Sequence, residues 1–301
     1  TATADPTTQQ VIQTTLQLEN PQRFLISPYR QNLNLQVQVS WMPRCRRHQM
    51  LKFIQTRSQQ SGLIYVRSRR QSEELAQWLR SLQYRTAAYH AGLSGEERRD
   101  VEASWLRGET PFVVATSAFG MGVNKPDVRW VVHFQVPQLL LEYLQEIGRS
   151  GRDGQQADCL TLISEPTGWL NPEDKKLRQF FIKQLQRQYQ QAEDVAKKIP
   201  LQGEVERIAR QFRGGEMVLA LLHSTDRLAW QDPFHYQRHL GKSASSFAQL
   251  SAMQLQLQSQ MTQYLTTRKC RWQFLLNAFG FTREAVGLRC GHCDNCRVNG
   301  R

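Results

Sequence analysis

The sequence predicts an α/β fold: a parallel sheet with helices on both faces, followed by a mostly helical region and a small metal-binding subdomain. Three observations predict it. "GLIYV" (Gly62–Val66), "FVVAT" (Phe112–Thr116), "WVVHF" (Trp130–Phe134) and "CLTLI" (Cys159–Ile163) are short apolar runs rich in β-branched residues. Continuous runs of this kind suit strands buried on both faces. Helical patterns lie between them, and such alternation implies a parallel sheet covered on both sides. Beyond Ser164 the chain turns polar and helical, and four cysteines crowd its tail.

In chain order, Thr3–Gln17 reads as a loop running into a helix, with Pro6 suited to the first turn. "RFLIS" (Arg23–Ser27) reads as a short strand. After "GLIYV" comes a helix with Leu75, Leu79 and Leu82 on one face. Ser68 and Gln71 have the spacing of a capping box. Ser94 and Glu97 repeat it before a second helix, which Gly108 can stop. A third helix fits Leu139–Ile147. Ligands of such sheets bind at the carboxyl ends of strands. "SRR", "YHAGLSG" and "TSAFGMG", which follow strand-like runs, are therefore expected to share one rim.

Pro166–Pro172 reads as a linker and Glu173–Lys198 as a long polar helix. Gly203–Phe212 and Gly215–His223 read as short helices. Arg227–Leu240 alternates like a hairpin bending at Asp232–Pro233. Helix, helix and β-ribbon follow in the order of a winged helix, and a packed helical spacer fits equally. Gly241–Gln249 reads as a loop. Leu250, Met253, Leu257 and Met261 have helical spacing, which predicts a helix over 250–267.

The formal charge of this 301-residue chain is +13, with clusters at "PRCRRH" (Pro43–His48) and "RSRRQ" (Arg67–Gln71). A basic run is often a solvated face; at this excess a nucleic-acid partner is the favoured reading. No stretch is long and apolar enough to span a membrane, and no signal-peptide pattern is present. Of six cysteines, Cys45 and Cys159 stand apart as small core residues. Cys270, Cys290, Cys293 and Cys296 read C-x19-C-x2-C-x2-C. Four thiolates so spaced match a closed tetrahedral zinc site, structural because no position stays open. An iron–sulfur cluster is the second reading. His292 is expected to be a bystander, Gly291 to let the backbone turn between ligands, and zinc loss to melt only the C-terminal region.

"TSAFGMGVNKP" places Gly120 and Gly122 after a buried strand, where backbone N–H groups can approach a phosphate. "QEIGRSGRDG" (Gln145–Gly154) follows, with Arg149 and Arg152 on a turn. Guanidinium groups match phosphate oxygens in pairs. The alternative is surface ion pairing with Glu146 or Asp153.

"SGLIYVRSRRQSEELAQWL", "AAYHAGLSGEERRDV", "VVATSAFGMGVNKPDVRWVVHF" and "QEIGRSGRDG" resemble motifs IV, IVa, V and VI of the second RecA-like domain in superfamily 2 helicases. "AFGMGVNKP" and the cysteine tail resemble RecQ-type DNA helicases in particular. "TATAD" resembles motif III, which closes the first RecA-like domain. The resemblance covers Thr1 to about Glu165 and Arg268–Cys296, and carries nothing over to the region between. It implies a RecA-like tail at 1–28, a second RecA-like domain at 29–165 and a zinc module within 241–301, while the residue pattern itself gives a linker and long helix at 166–202, a candidate winged-helix-like part at 203–240 and a helical start to the zinc subdomain at 241–301.

The resemblance also implies roles. Arg152 would be an arginine finger for the γ-phosphate of ATP bound to the first RecA-like domain, with Arg149 assisting and Gln145 orienting the motif. Asn124 would lie near the ribose. Ser68, Arg69, His90, Thr116 and Ser117 would face the backbone of single-stranded DNA. Thr1 and Thr3 would couple ATP state to DNA grip. The sequence holds no G-x-x-x-x-G-K-[ST] phosphate cradle; at Gly241–Lys242–Ser243 the leading position is Tyr236. ATP and Mg²⁺ are thus expected only with a missing N-terminal half, and the chain alone is expected to be inactive. The expected partners are single-stranded DNA and duplex junctions, met by a monomer in a bacterial cytoplasm or a eukaryotic nucleus or organelle. Against this 3′–5′ DNA helicase reading stand a non-catalytic DNA-binding module and half of a superfamily 2 RNA helicase.

Overall fold

A computed structural model describes residues 4–16, 18–120, 123–239 and 246–298. Thr1, Thr3, Gly122 and Gly241–Lys242–Ser243 lie outside the described residues. Two compact units result: one gathers the residues to Gln13, Glu19–Lys176 and the chain from Gln260 onward, the other Thr14–Leu18 and Leu177–Ser259.

In the first unit, helix α1 (Pro6–Thr15) starts at Pro6, with the Asp5 carboxylate accepting from Thr8 N at 2.6 Å. Strand β1 (Leu33–Ser40) was not foreseen, although Leu33, Leu35, Val37 and Val39 alternate with polar residues. Helix α2 (Pro43–Gln55) opens with proline in its first turn. There follow β2 (Gly62–Tyr65), α3 (Arg69–Ser81), β3 (Thr86–Tyr89), α4 (Gly95–Leu106), β4 (Phe112–Ala115), β5 (Trp130–His133), α5 (Leu140–Ile147) and β6 (Ala157–Ser164). The six strands form one parallel sheet in the order β1-β6-β5-β2-β4-β3.

Strand alternation assigns the two faces. Leu63, Tyr65, Val113, Ala115 and Val131 pack with α4 and α5. Ile64, Val114, Trp130, Val132 and Leu160 pack with Met50 and Ile54 of α2 and Leu75, Ala76 and Leu79 of α3. Leu82 does not join them: it caps the C-terminus of α3 and is 43% exposed. The expected strand at Arg23–Ser27 is absent. It pairs with no other strand among the described residues, and Phe24 and Ile26 face solvent.

Ser94 and Glu97 complete a reciprocal capping box at α4, whereas Ser68 accepts from Gln71 N as a simple N-cap of α3. Ser94→Ala is expected to lower stability by about 1 kcal/mol, read by denaturant unfolding.

The second unit contains most of α6 (Glu173–Ala196), then β7 (Gln202–Glu204), α7 (Val205–Gln211), α8 (Gly215–Ser224), β8 (Leu228–Trp230) and β9 (His235–Arg238). The hairpin β8–β9 is the expected one. β7 was not foreseen; it pairs antiparallel with β9 and gives the order β7-β9-β8. The core of this unit joins Ala192, Ile208, Leu219, Leu222, Tyr236 and Phe247.

Helix α9 (Phe247–Thr266) begins three residues before the expected Leu250, and α10 (Arg271–Ala278), α11 (Thr282–Ala285) and α12 (Asp294–Val298) complete the chain. The tail does not form a core of its own. Trp272, Leu275, Phe279, Cys270 and Cys293 share one cluster with Leu33 and Leu35 of β1.

Candidate phosphate-binding turn and metal centre

Helix α5 ends at Gly148, and the following turn is pinned from three sides. Ser150 Oγ donates to Ile147 O at 2.7 Å, and Gly151 N to Val128 O at 2.8 Å. Asn32 Nδ2 donates to Gly151 O at 2.8 Å, and Arg30 Nη2 reaches the same carbonyl. Arg149 and Arg152 project from this turn onto the loop after β4. Arg149 Nη1 donates to Gly120 O. Arg152 Nη1 donates to Asn124 Oδ1 at 2.7 Å and Val123 O at 3.4 Å. Gly120 has φ +101°, and a Cβ there would sit 2.1 Å from Arg149 Nη1. A side chain would both strain this backbone and displace the guanidinium.

Neither arginine is spent on the neighbouring acids. Asp153 pairs with Arg129 at 2.6 Å, and Glu146 with His133 Nε2 at 2.9 Å inside the protein. That removes the ion-pair alternative raised by the sequence. Arg149 Nε has no hydrogen-bond partner among the described residues. Burial, then the charges of Arg149 and Arg30, push the pKa of Arg152 down. Arg30, Arg149 and Arg152 thus lie near one another with no carboxylate partner among the described residues, and an anion placed between them would relieve their repulsion.

Of the expected nucleotide contacts, Asn124 is held by Arg152 and Gly120 by Arg149. Gln145 lies exposed on the last turn of α5. Arg30, Asn32 and His133 were not foreseen. Arg30 and Asn32 act about 120 residues from the turn they hold, so no local pattern announces them.

Because all six strands are parallel, Ser68 and Arg69 after β2, Thr116 and Ser117 after β4, and His90 after β3 do lie on one rim. Ser68, Arg69 and Ser117 are exposed and Thr116 is half-buried. His90 is placed differently. It is buried, Nε2 lies 2.8 Å from Glu73 Oε1, and Nδ1 accepts from Gly92 N at 3.1 Å. Its ring nitrogens hold the loop in shape instead of facing solvent.

The Sγ atoms of Cys270, Cys290, Cys293 and Cys296 all lie within 4.8 Å of one another, and those of Cys290 and Cys296 are 4.0 Å apart. Tetrahedral zinc with Zn–S bonds of about 2.3 Å needs sulfurs about 3.8 Å apart. The donor set therefore fits zinc. Gly291, at φ +78°, makes the turn between ligands, and His292 Nε2 bonds to nothing among the described residues.

This centre is fastened to the edge of the sheet. Asp294 accepts from Val37 N of β1 at 2.9 Å and receives Arg271 through two bonds of 2.9 Å. Trp272 Nε1 donates to Leu33 O at 3.3 Å. Because Asp294 and Trp272 bond to backbone groups of β1, zinc loss is expected to loosen the sheet edge as well as the tail.

Comparison with known proteins follows the same division. A family model described as "Helicase conserved C-terminal domain" matches residues 45–154, and one described as "RecQ zinc-binding" matches 231–297. The ATP-dependent DNA helicase RecQ of Synechocystis sp. is 46% identical over 298 residues, 99% of this chain and 62% of its own length. RecQ of Pasteurella multocida is 39% identical over 173 residues, 57% of this chain and 27% of its own. The chain thus spans less than two thirds of the length of these curated relatives. S. cerevisiae Dbp5 bound to RNA and ADP BeF3 is similar at a TM-score of 0.51 and 16% identity, covering 59% of this chain and 48% of that one. That likeness is one of fold, a RecA-like sheet. No helix among the described residues is long and apolar enough to cross a membrane.

Proposed function

The chain carries the helicase C-terminal and zinc-binding domains of the RecQ family, and from that premise we propose that it forms part of an ATP-dependent DNA helicase, with 3′–5′ polarity implied by the resemblance. In this reading Arg152 and Arg149 reach the γ-phosphate of ATP held by a partner RecA-like domain. Charge developing on the transferred phosphoryl group is met by two pinned cations. The carrying observation is that these guanidinium groups are fixed by Gly120 O and Asn124 Oδ1 while Glu146 and Asp153 are occupied elsewhere. In this reading Asn124, which Arg152 holds, lies near the ribose of that nucleotide.

Arg69, Ser68, Thr116 and Ser117 take the backbone of one DNA strand along the rim, where contacts to phosphate position without reading sequence. The zinc centre is structural. The unit containing β7, β8 and β9 is winged-helix-like, since helix, strand, two helices and a ribbon follow in order, with the first strand beside the last. Without a domain bearing G-x-x-x-x-G-K-[ST], these 301 residues turn over no ATP. The whole protein works as a monomer.

Unwinding of DNA and RNA duplexes by the protein containing both RecA-like domains tests this reading. ATP-driven separation of a DNA duplex with a 3′ overhang is expected, with little action on RNA. Equal or better action on RNA would overturn the assignment.

A further inference from the structure

The basic run Pro43–His48 takes no part in the arginine turn or in the rim contacts assigned above. It opens α2, at the carboxyl end of β1. The turn after β6 lies beside it, because Asn171 Nδ2 donates to Ser40 O at 3.2 Å. Between α2, α3 and this turn is a cleft of about 510 Å³ lined by Arg44, Arg47 and Lys176 among others. Trp41 and Trp169 stand two residues before its lining residues Pro43 and Asn171, and are 59% and 88% exposed.

The charges in this cleft are unbalanced. Its acids are occupied: Glu74 pairs with Arg70 at 2.6 Å, and Glu173 lies 3.8 Å from the buried Arg46. Arg44, Arg47 and Lys176 have no carboxylate partner among the described residues; Arg47 stacks over Trp78 at 5.0 Å. The N-terminus of α2 has no side-chain cap, so its amide groups add to the positive potential. The turn carrying Trp169 is not loose. Glu165 accepts from Thr167 N, Thr167 Oγ1, Leu170 N and Asn171 N, and these donors hold its carboxyl down at about 2. Two exposed indoles on the segments that lead into the cleft, and three cations in it without a carboxylate partner among the described residues, match bases and phosphates of an unpaired strand, because stacking needs bases that are not paired.

We propose that this cleft binds single-stranded DNA, with Trp41 and Trp169 stacking on bases and Arg44, Arg47 and Lys176 contacting phosphates. The proposal rests on the nucleic-acid reading above and extends it. Arg69, Thr116 and Ser117 follow β2 and β4, and the cleft runs from α3, which Arg69 opens, to α2 and the turn after β6, toward the β6-β1 end of the rim. Six strands about 4.8 Å apart make a continuous rim of about 24 Å. One strand of DNA can run along all of it.

The test is binding of a labelled dT20 oligonucleotide to the full chain, by anisotropy across a salt series. Trp41→Ala with Trp169→Ala is expected to weaken binding about tenfold or more. Arg44→Gln, Arg47→Gln and Lys176→Gln together should lower the slope of log affinity against log salt by about 2, near 0.7 for each phosphate contact on a single strand. A 5-iodouracil oligonucleotide should cross-link to Trp41 or Trp169. All five side chains are exposed or line an open cleft, so unchanged thermal midpoints are expected to show that the variants fold.

Affinity and salt slope unchanged in both variants, while Arg69→Gln weakens binding, would overturn this proposal and leave the rim reading intact. Failure of the unaltered chain to bind dT20 would overturn both. An equal loss for blunt duplex would reject the single-stranded occupant.

Discussion

Arg152→Ala, in a protein that joins this chain to a phosphate-binding RecA-like domain, is expected to lower ATP turnover by about 10³–10⁵-fold. That is the range for an arginine finger in phosphoryl transfer, equivalent to about 4–7 kcal/mol of transition-state stabilisation. Stability and DNA binding should hardly move. Arg152 is exposed, and two of its three hydrogen bonds, to Gly148 O and Val123 O, are 3.4 Å long. Its removal also relieves repulsion from Arg149 and Arg30, so unfolding should change by less than about 0.5 kcal/mol. Arg152→Lys is expected to stay close to the alanine variant, because an ammonium keeps the charge but loses the planar fork. Arg149→Ala is a less clean test. It empties the space against Gly120 and loosens the loop itself. Steady-state ATPase assays with saturating DNA, beside a binding titration, check the prediction. Turnover within about tenfold of the unaltered protein would remove Arg152 from the reaction.

Zinc removal is the second large effect. The protein is expected to carry about one zinc per chain. Structural zinc binds with an apparent free energy of about 10–16 kcal/mol near neutral pH, comparable with the whole stability of an ordinary domain, about 5–15 kcal/mol. Cys293→Ser, at a fully buried ligand, should therefore unfold the tail and not merely weaken it. The damage should spread to β1. When α12 and α10 lose their fixed places, Val37 N and Leu33 O lose Asp294 and Trp272, and the edge strand keeps only β6. Hydrogen exchange read before and after chelation should show the Val37 amide losing protection together with the cysteine region, while β2 and β4 at the sheet centre retain theirs. Metal analysis finding no zinc in protein prepared without chelators would refute the site. Unchanged exchange at Val37 would refute the coupling.

Much of the fold was legible in local pattern. The four apolar runs became β2, β4, β5 and β6 because burial on both sheet faces demands unbroken apolar residues. The capping box at Ser94 and Glu97 formed because its donors and acceptors lie within one turn. β1 is just as legible, through the alternation of Leu33, Leu35, Val37 and Val39, but it lacks the continuous apolar run that marks β2, β4, β5 and β6. Arg23–Ser27 shows the converse: residues suited to a strand form none without a neighbour to pair with. In the candidate site, Arg149, Arg152, Gly120 and Asn124 were legible as residues and came together. His90 was legible too, but it is buried, and both its nitrogens are taken, by the Glu73 carboxylate and the Gly92 amide.

The sequence by itself determined which residues make up the two candidate sites: two arginines on a glycine-rich turn, and four cysteines at zinc spacing. These are matters of residue type and of spacing along the chain, which is short except between Cys270 and Cys290. Only the tertiary structure decided what each residue is free to do. Glu146 and Asp153 adjoin the arginines in sequence, yet they pair with His133 and Arg129, which leaves the guanidinium groups without a carboxylate partner among the described residues. Asp294 sits between two zinc ligands, yet its carboxylate serves a strand 257 residues away. Such pairings depend on strand order and register, which bring distant backbone groups within hydrogen-bonding reach, and no local periodicity encodes them.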